Sequence, residues 1–353
     1  RVMSIFSLRL NKYDKILCLL AVVYPLLLFL FLGATKSQKY IDSMGIQILI
    51  YVMFAWGLSI VVGSLGLLSL NCVIAYAIGA YSYVILGSRY GLSIWLLIPV
   101  SAMISGACGM IMGLPSLKFR GDYLAIATLI MSEIFQNILI KWKPITNGKA
   151  GIYVADRLYF LGTTVRSLIR FFRFPSSFVI YEIFMYYVLL GMCFLSASII
   201  LWLRRTAISN AWRTIRDNQK AFFSLNTTII FAKLSAFAVS SAFIGMAGAF
   251  FAASRDRISP DMFKFSENII VISIVILGGM TSLSKIAKAT AILIGVVELC
   301  CGMNFYYFNS LLKFDCSFNM RHTTLMVIAL FLVILMRSHS LLRLRTPSNF
   351  LER

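Results

Sequence analysis

Long apolar runs without a polar face alternate along this chain with short segments rich in Lys and Arg. Stretches such as AVVYPLLLFLFLG (Ala21 to Gly33) lack the period-two alternation of outer-membrane strands, so the runs read as membrane-crossing helices and not as a β-barrel. At roughly 17 to 25 residues per span, the pattern predicts about ten transmembrane helices, at 16–33, 46–64, 71–88, 92–113, 122–140, 179–203, 232–253, 267–283, 287–306 and 323–337. The expected fold class is therefore an all-α polytopic membrane protein, and an even span count puts both termini on one side. One segment breaks the pattern. From Arg204 to Lys233 the chain is polar yet helix-patterned, with Arg213, Arg216 and Lys220 three and four residues apart. Ser209 or Asn210 could cap such a helix, and Asp217 and Asn218 offer acceptors. A polar helix has no role inside a bilayer; it serves either as an orientation signal or as a contact for a soluble partner.

Composition agrees with the pattern: 60% hydrophobic, 13% charged and a mean hydropathy of +0.86 lie outside soluble usage. The net charge of +20 is spread over short loops and forms no separate basic domain, which points to topology and anionic headgroups, with no nucleic acid. With both termini placed inside, 18 of the 33 Lys and Arg fall inside, and seven of the other 15 sit in the single loop 141–178. The positive-inside rule then makes 1–15 a cytoplasmic N-terminus, 16–337 the membrane domain, 141–178 a periplasmic loop, 204–231 a cytoplasmic loop and 338–353 a cytoplasmic tail. The basic start (Arg9, Lys12, Lys15) followed by an apolar run resembles a signal peptide, but the run is longer than a usual signal core and is read as a retained first span. Seven cysteines without C-x-x-C spacing and only two histidines, His322 and His339, indicate no metal site and no cofactor.

Within the loop 141–178, Arg166, Arg170 and Arg173 recur at helical spacing beside Val165, Leu168, Ile169 and Phe172, an amphipathic segment for the headgroup region or for an extracytoplasmic partner. The Gly-rich ends of the second and eighth spans, GSLGLLSL (63–70) and LGGMTSL (277–283), reach the inner face in the same direction and hint at a parallel repeat. Gly109-x-x-x-Gly113 suits close helix packing. No Walker A, HExxH or GxSxG sequence occurs, so the chain has no evident hydrolytic machinery of its own and no catalytic residue is assigned. Energy must come through intramembrane carboxylates or from a docked ATPase. Glu133 and Glu298 lie within spans and are candidates for the transport pathway, with polar packing as the plainer alternative; Glu182 and Glu267 lie near span ends.

Three blocks carry a family resemblance from about residue 45 to 342. They are VVGSLGLLSLNCVIAYAIGAY (Val61 to Tyr81), GLPSLKFRGDYLAIATLIMSEIFQNIL (Gly113 to Leu139), and AWRTIRDNQKAFFSLN (Ala211 to Asn226), the last continuing through KLSAFAVSSAFIGMAGAFFA, ISPDMFKFSENI and VILGGMTSL. The chain resembles the permease subunit of branched-chain amino-acid ABC importers, the LivM type. That resemblance implies an ABC importer permease architecture with a cytoplasmic coupling helix in the bacterial inner (plasma) membrane. It implies a second homologous permease, two cytoplasmic ATP-binding subunits, a periplasmic substrate-binding protein delivering Leu, Ile or Val, and surrounding membrane lipid. It places ATPase contacts at Arg213, Arg216, Asp217 and Asn218, and family-motif positions at Gly113, Pro115, Arg120, Gly121, Asp122, Tyr123, Gly278 and Gly279. The chain departs from the family pattern at Asn71-Cys72 (Gly-His), Asn226 (Gly), Ile230-Phe231 (often basic), Thr281 (Gly) and Lys149-Ala150. Asn tolerates left-handed backbone, so both Asn changes are expected to conserve shape. A same-family permease for urea, short amides or another small solute, an ion-coupled secondary transporter and a non-transporting scaffold are the alternatives.

Overall fold

Backbone immersed in hydrocarbon must satisfy its own hydrogen bonds, so each apolar run closes into a helix. The computed structural model describes residues 21–25, 41–91, 93–119, 121–154, 159–160, 163–164, 177–217 and 226–302. Its main helices are α1 (Gln47–Ser59, extended by π-helical turns Ile41–Ile46 and Ile60–Leu65), α2 (Cys72–Tyr90), α3 (Ile94–Gly113), α4 (Asp122–Lys141), α5 (Ser177–Leu203), α6 (Ala207–Asp217), α7 (Asn226–Ser254), α8 (Phe265–Gly278) and α9 (Leu283–Gly302). Among the described residues six helices are long and apolar enough to cross a membrane: Met44–Leu65, Cys72–Tyr90, Ile94–Lys118, Tyr123–Lys141, Ile183–Leu203 and Ile229–Ser254. They coincide with the second to seventh expected spans, and α8 and α9 with the eighth and ninth. Of the expected first span only 21–25 is described, as helix, and 323–337 lies outside the described residues.

The bundle is built around α7. Lipid supplies no hydrophobic force between helices, so close van der Waals contact at small residues holds the bundle together. Gly79 lies so close to Gly245 that a Cβ there would stand 2.5 Å from the Gly245 Cα, and Gly248 rests directly on the Tyr76 carbonyl. Gly106, Gly109 and Gly113 line one side of α3 against Ala238, Ser241 and Phe237 of α7, which is the packing role expected of that spacing. Buried serines stitch the same seams: the Ser105 hydroxyl lies 2.8 Å from both the Ala75 and Ser241 carbonyls, and Ser240 donates to the Gly57 carbonyl at 2.8 Å.

At the end of the bundle away from α6, β1 (Ile152–Tyr153) pairs antiparallel with β4 (Arg257–Ile258), Ile152 opposite Ile258. A second small ladder joins β2 (Tyr159–Phe160) to β3 (Thr163–Thr164). The loops after α4 and after α7 therefore meet at one end, as an alternating topology requires. The amphipathic stretch with Arg166, Arg170 and Arg173 lies outside the described residues.

Two local expectations change. The helix of the seventh span starts at Asn226, before the expected 232, so Lys233, the last charge of the polar segment, is the eighth residue of α7 and only 3% exposed. Its Nζ donates to the Ser116 carbonyl at 2.9 Å, pinning the short helix Pro115–Lys118 to α7. Asn71 is not left-handed: its φ is −107°, and it acts through its side chain, whose amide donates to the Met112 carbonyl at 3.1 Å. Lys233→Leu removes a charge-assisted bond and strands a buried carbonyl. It is expected to lower stability by about 1–3 kcal/mol, read as a fall in melting temperature in detergent.

Candidate functional site

The polar segment after α5 folds into α6, which is seated through two of its apolar residues. Trp212 and Ile215 are buried, and the Trp212 indole lies 3.3 Å from the Ser235 hydroxyl of α7, while Ala207, Ile208, Asn210, Arg213 and Thr214 are exposed. The helix begins at Ala207, earlier than the expected cap. Thr206 accepts its first bond, from the Asn210 amide at 3.3 Å, whereas Ser209 lies inside the helix, its buried hydroxyl without a hydrogen bond among the described residues. This corrects the capping expectation: the chain leaves α5 in a single tight turn, Arg204 to Thr206, so the helix is already under way at Ser209.

Two arginines tie this platform to the ends of two membrane helices. Arg216 donates to the Gly63 carbonyl at 2.6 Å, and its stem covers Gly66, where a Cβ would stand 3.0 Å from the Arg216 Cγ. Gly66 has φ +69°, the left-handed turn that lets the chain leave the end of α1. Arg204, just before α6, donates to the Thr281 carbonyl at 2.5 Å, in the turn between α8 and α9. Burial, then the neighbouring Arg213 guanidinium, holds the Arg204 pKa below its ordinary value. The two Gly-rich ends touch, because Gly63 sits directly on the Met280 carbonyl. At the opposite ends of the same two helices the Tyr51 hydroxyl donates to Glu267 at 2.5 Å. Thus α1 and α8 run the same way, as their sequence ends suggested, and are joined at both ends.

Between α1 and α2 the chain is non-helical over 66–71, with Leu67, Ser69 and Asn71 buried among the helices, and neighbouring side chains satisfy the backbone of Leu70 and of the first turn of α2. Leu70 donates its amide to the Thr128 hydroxyl at 3.0 Å and accepts from Ser132 at 2.7 Å, while Asn268 accepts from the Val73 amide at 2.9 Å. Ser69 also donates to the Asn71 side chain. A cavity of about 10 Å³, about the size that admits one water, is lined here by Ser69, Asn71, Met112, Ser240 and Ser241, among others. Irregular backbone at this depth is tolerated where protein covers it or where it borders a cavity.

The third feature is α4, of whose membrane window only 22% is buried, against 83% for the span containing α1. Its exposed side carries Ile126, Ile130, Ile134 and Ile138, and among them the exposed Glu133, Asn137 and Lys141. Beside them lies an open depression of about 670 Å³ lined by Ile134, Asn137, Ile138, Lys141 and Trp142. A charged side chain at the middle of a lipid-facing helix costs about 2.5–3.5 kcal/mol. Among the described residues, the outward positions Leu96, Met103 and Ile111 on α3 and Leu195, Ile199 and Trp202 on α5 have no exposed charged side chain among them.

The remaining candidates fall in different places. Arg213 is exposed on α6, Asp217 is its last residue, with its side chain outside the described residues, and Asn218 lies outside them altogether. Glu298 and Glu182 belong to α9 and α5, with side chains likewise outside. Gly113 packs on Phe237, Pro115 opens its short helix, Gly121 turns at φ +57° and Tyr123 is 75% exposed. Arg120 and the Asp122 side chain are outside the described residues, and Gly278 abuts Ile286 beside Gly279, which has φ +83°. Sequence reasoning missed Arg204 and Lys233 as struts, because nothing local marks which carbonyl a long cation will reach. Asn137 and Lys141 could have been found from their spacing four and eight residues after Glu133. Among the described residues no group of His, Cys, Asp and Glu could hold a metal.

Comparison with known proteins bears on this arrangement. A family model described as branched-chain amino acid transport system / permease component matches residues 40–336. The high-affinity branched-chain amino acid transport system permease protein LivM of Salmonella typhimurium (strain LT2) is 37% identical over 270 residues, 73% of this chain and 63% of that protein. LivM of Escherichia coli (strain K12) is 35% identical over 302 residues, 82% of this chain and 68% of that protein. The chain thus spans less than two thirds of the Salmonella protein. No solved structure matches it.

Proposed function

Because the chain belongs to the family of branched-chain amino acid transport permeases, we propose that it is the membrane-spanning permease subunit of an ABC importer. It carries Leu, Ile or Val across a bacterial inner membrane, using ATP hydrolysed by separate subunits. The observation that carries this reading is α6: a polar helix seated on Trp212 and Ile215, exposing Arg213, and braced through Arg204 and Arg216 to the ends of α8 and α1. A partner that pulls on α6 pulls on both membrane helices. A helix so placed is suited to transmit the closure of two ATPases, which shifts the bundle between two packed states.

In this reading α6 with Arg213, Arg216, Asp217 and Asn218 faces the cytoplasm, both termini lie on that side, and the loops 141–178 and 254–266 face the periplasm, where the binding protein docks. The β1–β4 pairing, which brings those two loops together at the end opposite α6, supports that assignment. A second homologous permease completes the channel, and membrane lipid covers the apolar faces of α3 and α5.

The test is uptake into proteoliposomes containing this chain, its partner permease, both ATPases and the binding protein. ATP-dependent accumulation of leucine is the expected result. Accumulation driven by a sodium or proton gradient without ATP overturns the ATPase reading, and uptake of urea or short amides in place of leucine overturns the substrate.

A further inference from the structure

The exposed face of α4 carries a polar row that the coupling machinery does not use. Glu133, Asn137 and Lys141 are spaced at i, i+4 and i+8, so they stand one above another along a single side of the helix. Glu133 is the twelfth of the twenty residues of α4, close to mid-depth, and Lys141 is the last, at the end away from α6. Asn137 is tied to the row by a bond from its side-chain amide to the Glu133 backbone carbonyl, 2.9 Å. The isoleucines 130, 134 and 138 flank the row, and the open depression beside Asn137 and Lys141 lies on the same face. A lipid-facing surface has no use for a carboxylate at its centre, whereas a cation at a helix end can reach the headgroups. A route for a small zwitterion with an aliphatic side chain needs both, together with apolar walls.

We propose that this face of α4 is one wall of the substrate's route, Lys141 meeting the carboxylate of an aliphatic amino acid at the outer mouth and Glu133 taking its ammonium group at mid-depth. The second permease subunit forms the opposite wall; the proposal rests on the transport reading above. The eight-residue interval spans about 12 Å along the helix axis, too far for one amino acid to hold both charges in contact. The two groups therefore act as successive stops, with Asn137 between them and the aliphatic side chain passing over Ile130, Ile134 and Ile138. Opposite charges on ligand and wall also set selectivity, since solutes lacking the ammonium leave Glu133 unpaired.

Two measurements on the assembled complex test this. Ile134→Cys is expected to react with water-soluble methanethiosulfonates, faster with a trimethylammonium than with a sulfonate reagent by about 10-fold or more, with the parent chain as blank. Glu133→Gln erases that preference, and Met103→Cys on α3 stays unreactive. In transport, Glu133→Gln is expected to lower leucine uptake about 10- to 100-fold with the complex still assembled, and Glu133→Asp to restore part of it. Reactivity at Ile134→Cys no greater than at Met103→Cys, or uptake unchanged in Glu133→Gln, overturns the proposal. Absence of ATP-driven leucine uptake by the unsubstituted complex would instead remove the transport reading, while the labelling comparison would still decide whether the α4 face meets water.

Discussion

Gly79→Leu is expected to abolish the folded protein. The α2–α7 crossing has no space for a side chain, because a Cβ at Gly79 overlaps the Gly245 carbonyl and stands 2.5 Å from its Cα. The obstacle is backbone, so no rotamer change relieves it, and the helices must separate. Overpacking of a core ordinarily costs about 1–3 kcal/mol, and here the loss also breaks the seam in which Gly248 rests on Tyr76 and Ser105 bridges Ala75 and Ser241. Loss of the monodisperse peak in detergent chromatography, or a steep fall in melting temperature, is the readout. Gly191→Leu on α5, where no atom of another described element lies within 4 Å of an added Cβ, should behave as the parent chain. Normal yield and melting for Gly79→Leu would mean that α2 and α7 do not cross there.

Arg216→Glu is expected to uncouple ATP hydrolysis from transport. The substitution removes the bond to the Gly63 carbonyl, sets a carboxylate against that carbonyl, and takes away the stem that covers Gly66. A hydrogen bond made by a charged group contributes about 1.5–3 kcal/mol, which corresponds to at least a tenfold loss of leucine uptake if α1 follows α6 only through this strut. Arg216→Lys should retain part of it. Arg213→Glu and Asp217→Arg are expected to weaken ATPase co-purification while leaving the chain's own melting temperature unchanged, since Arg213 is exposed. Unchanged transport and ATPase binding in Arg216→Glu and Asp217→Arg together would remove the coupling assignment.

The helical spans were legible because hydrocarbon admits few solutions: an apolar run of sufficient length becomes a helix whatever its neighbours. The small-residue seams were legible for a similar reason, since glycines at i and i+4 on an apolar helix invite close approach. Boundaries were less so. Lys233 looked like loop because a charge usually ends a span, and it is buried only because the Ser116 carbonyl lies within its reach. The sequence at Asn71 suggests a backbone substitute for glycine, but its role is set by Met112 and Ser69, which are distant and near in sequence respectively and equally silent about it.

The order of apolar and basic segments, together with the three motif blocks, was enough to establish a helical membrane permease and to single out the polar segment around α6, because those properties depend on composition and local periodicity. Which carbonyls Arg204 and Arg216 grip, how the ends of α1 and α8 come to touch, and which side of α4 is left uncovered with Glu133 at its centre depend on residues tens to hundreds of positions apart. They were decided only when packing around α7 brought those segments together, because long-range proximity leaves no periodic trace in a single chain.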